Sequence, residues 1–497
     1  MNKSFKLIVL IGSLGMFFSC NDAIDIDQPG RLGAENAFQS LGNLEEGLLG
    51  TLATLDNSGQ VQFNAVFTDE VGIGESNGGQ GLNDGSYGFI LNAGSGAPNS
   101  FWGRYYGALN SINRLIQAID LLELDDPAEQ AREDEILATL LALRAYVNFE
   151  IVTYFSPDYT DDSALAGILI DFVPTVDQRL PRATNGEFFA AIDDDLTRAV
   201  QLGLPQSDPQ AVSLDFVTFL RIRMDVFRQD YSQVDAMSAN LLQSYPLANR
   251  AEYEALFQDT GNTEVIFELL RVINGPFDNQ GPTGTAFGGN WVGANFAFVD
   301  ATINGAPYFD IGRALFDMID PADIRFDVLV GETSIISPDP AAEADFINGD
   351  VLLVSKYEGI PGQPLLNDHK IFRSSELVLY RAEAAAANGN LAAAAGFLQE
   401  LRDARFGVST PLETFTSAQQ AFGAILDERR LEFAFEGYRW IDLKRLGERG
   451  GRGVERSPLD CAINGACTLP ASDFRFTLPI PLSELNPNPD IIQNPGF

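Results

Sequence analysis

Residues 427–447, which read DERRLEFAFEGYRWIDLKRLG, decide the fold. Leu431 and Phe435 recur at helical spacing, and this pattern predicts a helix that packs on a large core. Gly437 suits a helix end because glycine tolerates a left-handed backbone. The segment therefore predicts a second short helix over residues 438–446, after a turn.

Charged side chains are embedded in this apolar segment. Arg429 and Glu432 are three residues apart, as are Glu436 and Arg439, and this spacing brings opposite charges together on one helix face. Since buried charges must be paired, we interpret the segment as a structural helix pair with partly buried ion pairs. The alternative is a catalytic carboxylate pair. The charged residues of the structural motif are Arg429, Arg430, Glu432, Glu436, Arg439 and Asp442.

Four stretches of the chain resemble one protein family. ERRLEFAFEGYRWIDLKRLG at 428–447 is similar to the C-terminal signature of the SusD/RagB family, and PIPLSELNPNPDIIQNPGF at 479–497 resembles its closing motif. LRAYVNFEIVTYF at 143–155 and PRATNGEFFAAIDDDLTRAV at 181–200 resemble its N-terminal half. Members of this family are surface lipoproteins that pair with TonB-dependent transporters to capture nutrients, usually glycans.

The resemblance implies a mainly α-helical protein with a SusD-like fold. Tetratricopeptide-like helical hairpins would form a right-handed superhelical scaffold that carries irregular, loop-rich insertions. One continuous globular unit would contain an N-terminal part, residues 36–215, and a C-terminal part, residues 216–497. The implied role is a binding lid over a SusC-like transporter, with no cofactor and no catalysis. The family's ligand contacts lie in variable loops outside these motifs, so no binding residue is carried over from the family.

Helical periodicity supports the scaffold independently of the resemblance. Helices are predicted at 36–55, 101–120 and 133–155, and two helical hairpins at 215–242 and 375–405. A hairpin cannot bury its apolar face alone, so these units must pack on one another or on other parts of the chain. The positions where a tetratricopeptide repeat places small and apolar residues are, in the second hairpin, Ala382, Ala394, Leu398 and Leu401.

Composition restricts the possible functions. The 497 residues are 45% hydrophobic, enough to bury a sizeable core. The formal net charge of -37 and the pI near 4.2 argue against nucleic-acid binding, which needs a basic surface. His369 is the single histidine, so a Ser-His-Asp device would depend on it, and we expect it to be structural.

No common catalytic motif occurs in the sequence. G-x-S-x-G, H-E-x-x-H and Walker A patterns are missing, so we predict no catalytic residue, metal or cofactor. Paired carboxylates for glycoside cleavage stay open, because their separation is spatial. Asp193, Asp194 and Asp195 are adjacent, but consecutive residues on a helix point in different directions and cannot readily converge on one ion. We expect them to form a solvated face or a helix end.

The N-terminus has the parts of an export signal. Residues 1–19 combine two early lysines with a short apolar run that ends before Cys20, which resembles a bacterial lipoprotein cleavage site. We predict that Cys20 is acylated and that residues 20–35 form an acidic tether at the extracellular face of the outer membrane. The alternative is ordinary secretion with Cys20 buried or paired.

Two further cysteines, Cys461 and Cys467, lie close together in the sequence. In an oxidising compartment two nearby thiols more often close a disulfide than bind metal, and no histidine lies near enough to complete a zinc set. We predict a disulfide, with two free thiols as the alternative.

Two glycine-rich segments interrupt the helical pattern, at 72–98 and at 274–307. Long irregular loops in a compact chain are usually functional or disordered. Accessible aromatic rings can lie against the C–H faces of sugars, and amide or carboxylate groups reach hydroxyls. For any single aromatic residue, burial in the core is the stronger alternative. The candidate ligand-binding residues are Trp291, Phe296, Phe298, Tyr308, Tyr87, Phe89, Asn83, Asp84, Asn290 and Asn295.

Three functions compete at this point. The first is capture of oligosaccharides for import through a SusC-like TonB-dependent transporter. The second is capture of peptides or another nutrient by the same machinery. The third is a glycan-active enzyme or an adhesin on the same scaffold.

Overall fold

The computed structural model describes residues 38–74, 77, 85–175, 177–272, 292–296, 307–360 and 363–497. Of Asn295 only the backbone is described. The candidate residues outside these ranges are Cys20, Asn83, Asp84, Asn290, Trp291 and Phe298.

The described chain is mainly α-helical, as predicted. In chain order the helices are α1 (Leu41–Thr54), α2 (Ser58–Phe67), α3 (Gly96–Ile119), α4 (Pro127–Phe155), α5 (Asn185–Leu202), α6 (Leu214–Phe227), α7 (Val234–Ser244), α8 (Arg250–Phe257), α9 (Arg313–Phe316), α10 (Ile324–Leu329), α11 (Phe346–Gly349), α12 (Ser374–Ala387), α13 (Leu391–Phe406), α14 (Ala418–Glu432), α15 (Arg439–Gly450), α16 (Pro458–Cys461) and α17 (Leu482–Leu485).

The strands are short and form two-stranded antiparallel sheets. They are β1 (Val71–Ile73), β2 (Val265–Leu269), β3 (Phe309–Ile311), β4 (Gly359–Ile360), β5 (Gln363–Pro364), β6 (His369–Arg373), β7 (Val454–Glu455) and β8 (Thr468–Leu469). The pairs are β1 with β3, β2 with β6, β4 with β5, and β7 with β8. Helix packing therefore builds the core, and the strand pairs connect distant parts of the chain.

Local capping explains why some helices begin earlier or later than predicted. The carboxylate of Asp126 accepts the Ala128 N–H at 2.8 Å, and Pro127 occupies the first turn, so α4 begins before residue 133. Ser40 caps α1 by accepting the backbone N–H of Asn43, and that helix accordingly begins at Leu41.

Helix α4 lies at the centre of the largest apolar cluster. Its residues from Ile136 to Phe155 are almost all buried against neighbouring helices. By length and composition it is also a candidate membrane span among the described residues, but its burial is that of a core helix.

The tetratricopeptide-like positions in α12 and α13 are confirmed as packing positions. Gly389 turns the chain between these helices with a φ of 75°, and the Asn390 side chain caps α13. The four predicted positions are all fully buried, namely Ala382, Ala394, Leu398 and Leu401.

The signature segment forms two helices, but the first is shorter than predicted. Helix α14 ends at Glu432, and Phe435 lies in the following turn with a φ of 61°. Its ring packs at 5.1 Å from that of Phe296, so tertiary packing selects the turn over another helical turn. Gly437, with a φ of 87°, completes the turn before α15.

The charged residues of this segment form ion pairs, but the partners predicted from their spacing are wrong. Arg429 donates to Asp442 at 2.7 Å and to Glu376 at 3.1 Å, and does not pair with Glu432. Glu432 instead accepts from Arg373 at 3.0 Å and from Arg405 at 2.8 Å. The helix face carries these charges toward other helices, so they bind partners that are distant in the sequence.

The second predicted pair is replaced in the same way. Glu436 accepts from Arg373 at 2.7 Å and from Lys356 at 2.5 Å, whereas Arg439 donates to Asp69 at 2.9 Å. All of these side chains are buried. The interpretation of the segment as a structural motif with paired charges fits this network.

The three adjacent aspartates are not uniformly solvated. Asp193 is exposed and pairs with Arg221, and Asp194 is exposed as well. Asp195, however, is buried and forms a bidentate pair with Arg144, at 2.6 and 2.7 Å. Within the described ranges no group of three or more His, Cys, Asp or Glu side chains could hold a metal ion.

Candidate functional site

The bases of the two glycine-rich insertions meet in the structure. Strand β1 pairs with β3, so that Gly72 lies opposite Asp310 and Ile73 lies opposite Phe309. The pairing continues one step further, because the Gly74 N–H donates to the Tyr308 carbonyl at 3.1 Å. The two segments that sequence reasoning selected are thereby brought together at their described ends.

A third segment joins them from the C-terminal part of the chain. Cys461 and Cys467 form a disulfide with their Cα atoms 5.1 Å apart, and close a small loop after α16. The Asp460 carboxylate accepts the backbone N–H of Arg313 at 2.8 Å. The Tyr87 hydroxyl donates to the Asp460 carbonyl oxygen at 3.0 Å. Asp460 therefore ties the disulfide loop to the first insertion and to the segment that follows β3.

These three segments, together with α11, line a cavity of about 280 Å³, which we call the junction pocket. Aliphatic and aromatic side chains form most of its wall, and two carboxyl groups interrupt it. The lining residues are Ile73, Asp310, Phe346, Ile347, Leu459, Asp460, Ala462 and Ile463.

Gly72 is required beneath the two carboxyl groups. A β-carbon at this position would lie 2.5 Å from Oδ1 of Asp310 and 3.2 Å from Oδ1 of Asp460. The two carboxyl groups therefore lie within a few ångström of each other, and glycine provides the space for both.

The carboxyl pair is electrostatically unusual. Burial and the nearby Asp460 raise the pKa of Asp310 well above its ordinary value. Burial also raises the pKa of Asp460 to about 7, although the Arg313 N–H and the Arg456 guanidinium oppose the shift. The guanidinium of Arg313 itself is bound to Asp317 at 2.8 Å and to Asp350 at 2.9 Å.

Another buried acid with a raised pKa, Glu70, lies directly before β1. Glu70 is fully buried, and among the described residues neither of its carboxylate oxygens has a hydrogen-bond partner at normal geometry. Burial and the neighbouring Asp69 raise the pKa of Glu70 to about 8, while Arg439, Arg430 and the Phe435 N–H offset the shift in part. Perturbed acids of this kind concentrate at functional sites.

Three predicted ligand-binding aromatics lie in the core instead. Tyr87 is 0%, Phe296 1% and Phe89 5% exposed. The guanidinium of Arg456 covers the Tyr87 ring at 4.0 Å and the Phe89 ring at 4.4 Å. Because an accessible platform needs a free ring face, the core alternative holds for these three. Their packing positions the loop for the junction pocket.

Tyr308 differs from these three rings. It is partly buried and meets the Phe309 ring edge to face, with centroids 4.8 Å apart. Its position beside β3 places it at the base of the second insertion.

Sequence reasoning did not select the residues that line the junction pocket. Asp310, Phe346 and Asp460 are far apart in the chain, and only the β1–β3 pairing and the disulfide loop bring them together. One signal was available, since Asp460 directly precedes the predicted disulfide cysteine Cys461. No pattern in the sequence indicated Phe346.

A larger cavity of about 410 Å³ lies elsewhere, between α15 and the C-terminal segment. Its cationic groups already have partners. The Lys444 ammonium donates to the Thr153 carbonyl at 3.1 Å, Arg449 donates to the Tyr231 hydroxyl at 2.9 Å, and Arg475 pairs with Asp473 at 2.7 Å. We therefore favour the junction pocket, which adjoins both insertions, as the candidate site.

The chain resembles known proteins in sequence. Residues 365–497 match the model of the SusD family. The chain is 22% identical to SusD-like protein P25 of Formosa agariphila, over 99% of this chain and 98% of that protein. It is 32% identical to SusD-like protein P38 of the same organism, but over only 20% of this chain and 21% of that relative.

Solved structures share the fold. A SusD superfamily protein from Bacteroides thetaiotaomicron superposes with a TM-score of 0.73 at 22% identity, over 92% of this chain and 100% of that chain. A putative sugar binding protein from Bacteroides vulgatus superposes with a TM-score of 0.71 at 22% identity, over 93% of this chain and 99% of that chain. A laminarin binding SusD-like protein superposes with a TM-score of 0.66 at 21% identity, over 93% of this chain and 100% of that chain.

The shared architecture gives the molecule a SusD-like, mainly helical fold. The family match over the C-terminal residues and the relative aligned along nearly its whole length make the chain similar to proteins of the SusD/RagB family.

Proposed function

We propose that this protein is a cell-surface nutrient-binding lipoprotein. It captures oligosaccharides or polysaccharide fragments and delivers them to a SusC-like TonB-dependent outer-membrane transporter. The junction pocket carries this proposal, because the described ends of the two insertions and the disulfide loop meet there on a helical scaffold. Two proteins of the same fold are described as sugar binding and laminarin binding, which supports a glycan as the ligand.

The chemistry of the pocket suits a sugar. The partly exposed Phe346 ring and the Ile347 side chain offer apolar surface for the C–H face of a pyranose. Asp310 and Asp460, which line the same cavity, offer oxygen atoms to hydroxyl groups. Apolar walls with a few convergent polar groups are typical of small-ligand sites.

The same carboxyl pair argues for binding without hydrolysis. A glycosidase needs two carboxyl groups with pKa values pushed apart, so that one is ionised while the other holds a proton. Here burial raises the pKa of both Asp310 and Asp460. Burial thus favours the protonated form of both groups, whereas a glycosidase nucleophile or base must be ionised.

The place of action follows from the N-terminus and the family. Residues 1–19 would direct export, and lipid on Cys20 would hold the protein at the extracellular face of the outer membrane. The net charge of -37 makes nucleic acid an unsuitable partner. The SusC-like transporter is the proposed recipient of the bound ligand.

Calorimetric titration tests the proposal. The full mature chain is titrated with a panel of oligosaccharides and, separately, with a panel of short peptides. We expect saturable binding of at least one glycan and no release of reducing ends during incubation. Binding of peptides alone would show that the captured nutrient is a peptide and not a glycan. Release of reducing ends would show that the protein hydrolyses glycans.

A further inference from the structure

Two buried acids line the junction pocket, and among the described residues no guanidinium or ammonium group forms a salt bridge with either of them. Asp310 is 9% exposed, lines the cavity, and meets no side-chain donor in the described part of the chain. Asp460 is 8% exposed and accepts the Arg313 backbone N–H. Two buried carboxyl groups thus share one side of the pocket.

The two nearest guanidinium groups are directed elsewhere. Arg313 binds Asp317 and Asp350. Arg456 lies over the rings of Tyr87 and Phe89 and donates to backbone carbonyls, among them that of Thr68 at 2.7 Å. The two guanidinium groups therefore offset the pKa shift of Asp460 only in part, and in the described structure neither donates a hydrogen bond to Asp310 or Asp460.

A buried carboxylate without a counter-ion is costly, and the cost can be removed in two ways. The group can bind a proton, which agrees with the raised pKa values of both acids. Alternatively, a ligand can bring a positive charge into the pocket and form charge-assisted hydrogen bonds to both groups. The cavity of about 280 Å³ has room for one such group attached to a sugar ring.

We propose that the junction pocket binds a primary ammonium group on the ligand, so that the captured glycan contains amino sugars. This inference rests on the proposed function and names the ligand class for the same site. Asp310 and Asp460 receive the ammonium, and Phe346 contacts the apolar face of the ring that carries it. The long-range field agrees, because a chain with a net charge of -37 attracts polycations and repels sulfated or uronic glycans.

The test compares two oligosaccharides that differ in one group. Wild-type protein is titrated at pH 6.5 with a glucosamine oligomer and with its N-acetylated counterpart of equal length. The same titrations are made with Asp310→Asn and with Asp460→Asn. Asp208→Asn is the matched control, because it removes one negative charge at an exposed site away from the pocket, where the carboxylate accepts the Gln210 N–H. Thermal unfolding shows that each variant is folded.

We expect the wild type and Asp208→Asn to bind the amine oligomer about tenfold or more tightly than the acetylated one, as for a close charge pair at an interface. Each pocket variant should lose this preference while it retains any binding of the acetylated oligomer. Equal affinity of the wild type for both oligomers, with clear binding of glycans, overturns the inference and leaves the proposed function standing. A preference that persists in both pocket variants overturns the assignment to this pocket. Binding of neither oligomer nor any other glycan overturns both proposals.

Discussion

At the scale of single residues, buried acids dominate the junction. Asp69 has two guanidinium groups beside it, so its pKa falls to about 2 despite burial. Glu70, the next residue, accepts no hydrogen bond from these guanidinium groups in the described structure, and burial with the nearby Asp69 raises its pKa to about 8. Adjacent carboxyl groups in one buried turn therefore titrate far apart, because their partners differ.

Glu70→Gln should stabilise the protein at alkaline pH. In the unfolded chain Glu70 ionises near pH 4.5, whereas the folded protein holds the proton to about pH 8. The stability that this proton contributes is complete below pH 4.5 and is lost as the pH rises toward 8. One pKa unit corresponds to about 1.4 kcal/mol. The free energy of unfolding of the variant at pH 8 should therefore exceed that of the wild type by on the order of a few kcal/mol.

Denaturant unfolding at pH 5 and pH 8 measures this effect. The advantage of Glu70→Gln over the wild type should be small at pH 5 and large at pH 8. Asp310 and Asp460 titrate in both proteins, so the difference isolates Glu70. An advantage that does not change with pH would contradict the account.

Trp291, in the second insertion, stays a candidate sugar platform, although it lies outside the described residues. Trp291→Ala should weaken oligosaccharide binding by about 1–3 kcal/mol if its indole stacks on a sugar, by analogy with bases stacked on aromatic side chains. If the residue belongs to the core, the variant should instead lose about 3–5 kcal/mol of folding stability. Calorimetry beside thermal unfolding separates the two, and unchanged binding in a folded variant would remove Trp291 from the site.

At the scale of elements, local signals predicted the helices and tertiary contacts chose the charge partners. Ala382 and Leu398 could be placed because tetratricopeptide spacing is a local pattern. The partner of Arg439 could not, since Asp69 lies 370 positions away in the sequence. The pocket acids Asp310 and Asp460 were missed for the same reason, because a two-stranded sheet and a disulfide loop bring them together.

Arg439→Ala should destabilise the fold without changing ligand binding. Its guanidinium donates to both oxygens of Asp69, at 2.9 and 3.1 Å, and both residues are buried. Removing one partner of a buried pair leaves an uncompensated charge and costs about 3–5 kcal/mol. Thermal and denaturant unfolding measure the loss.

Arg452→Ala is the matched control for this prediction. Arg452 pairs with Asp427 at 2.7 Å, but both side chains are more than a third exposed, at 39% and 36%. An exposed pair contributes only about 0–1 kcal/mol. Equal stability losses in the two variants, or lost binding with unchanged stability in Arg439→Ala, would contradict the structural role of the signature segment.

At the scale of the whole molecule, different parts of the described chain have different tasks. The signature segment and α4 contribute to the core, whereas the described ends of the insertions, α11 and the disulfide loop line the candidate site. The class of fold could be predicted because its motifs are local and occur in order along the chain. The position of the pocket could not, because it depends on how three distant loops meet.

Cys20→Ala should release the protein from the membrane. The short apolar run before Cys20 and the acidic residues after it motivate lipid attachment at this thiol. We expect the variant in a soluble or mislocalised fraction after cell fractionation, with loss of surface labelling. Membrane association and labelling equal to those of the wild type would show that Cys20 is not the anchor.

Calorimetric titration of the mature protein with oligosaccharides tests glycan capture at the junction pocket. Phe346→Ala is the pocket variant, and Phe172→Ala is its matched control. Phe346 lines the junction pocket, whereas Phe172 is a surface phenylalanine with 41% exposure that does not line it. We expect saturable glycan binding by the wild type. Phe346→Ala should lose about 1–3 kcal/mol of binding free energy, and Phe172→Ala should bind with unchanged affinity. Equal affinities in both variants, or no glycan binding by the wild type, would contradict glycan capture at the junction pocket.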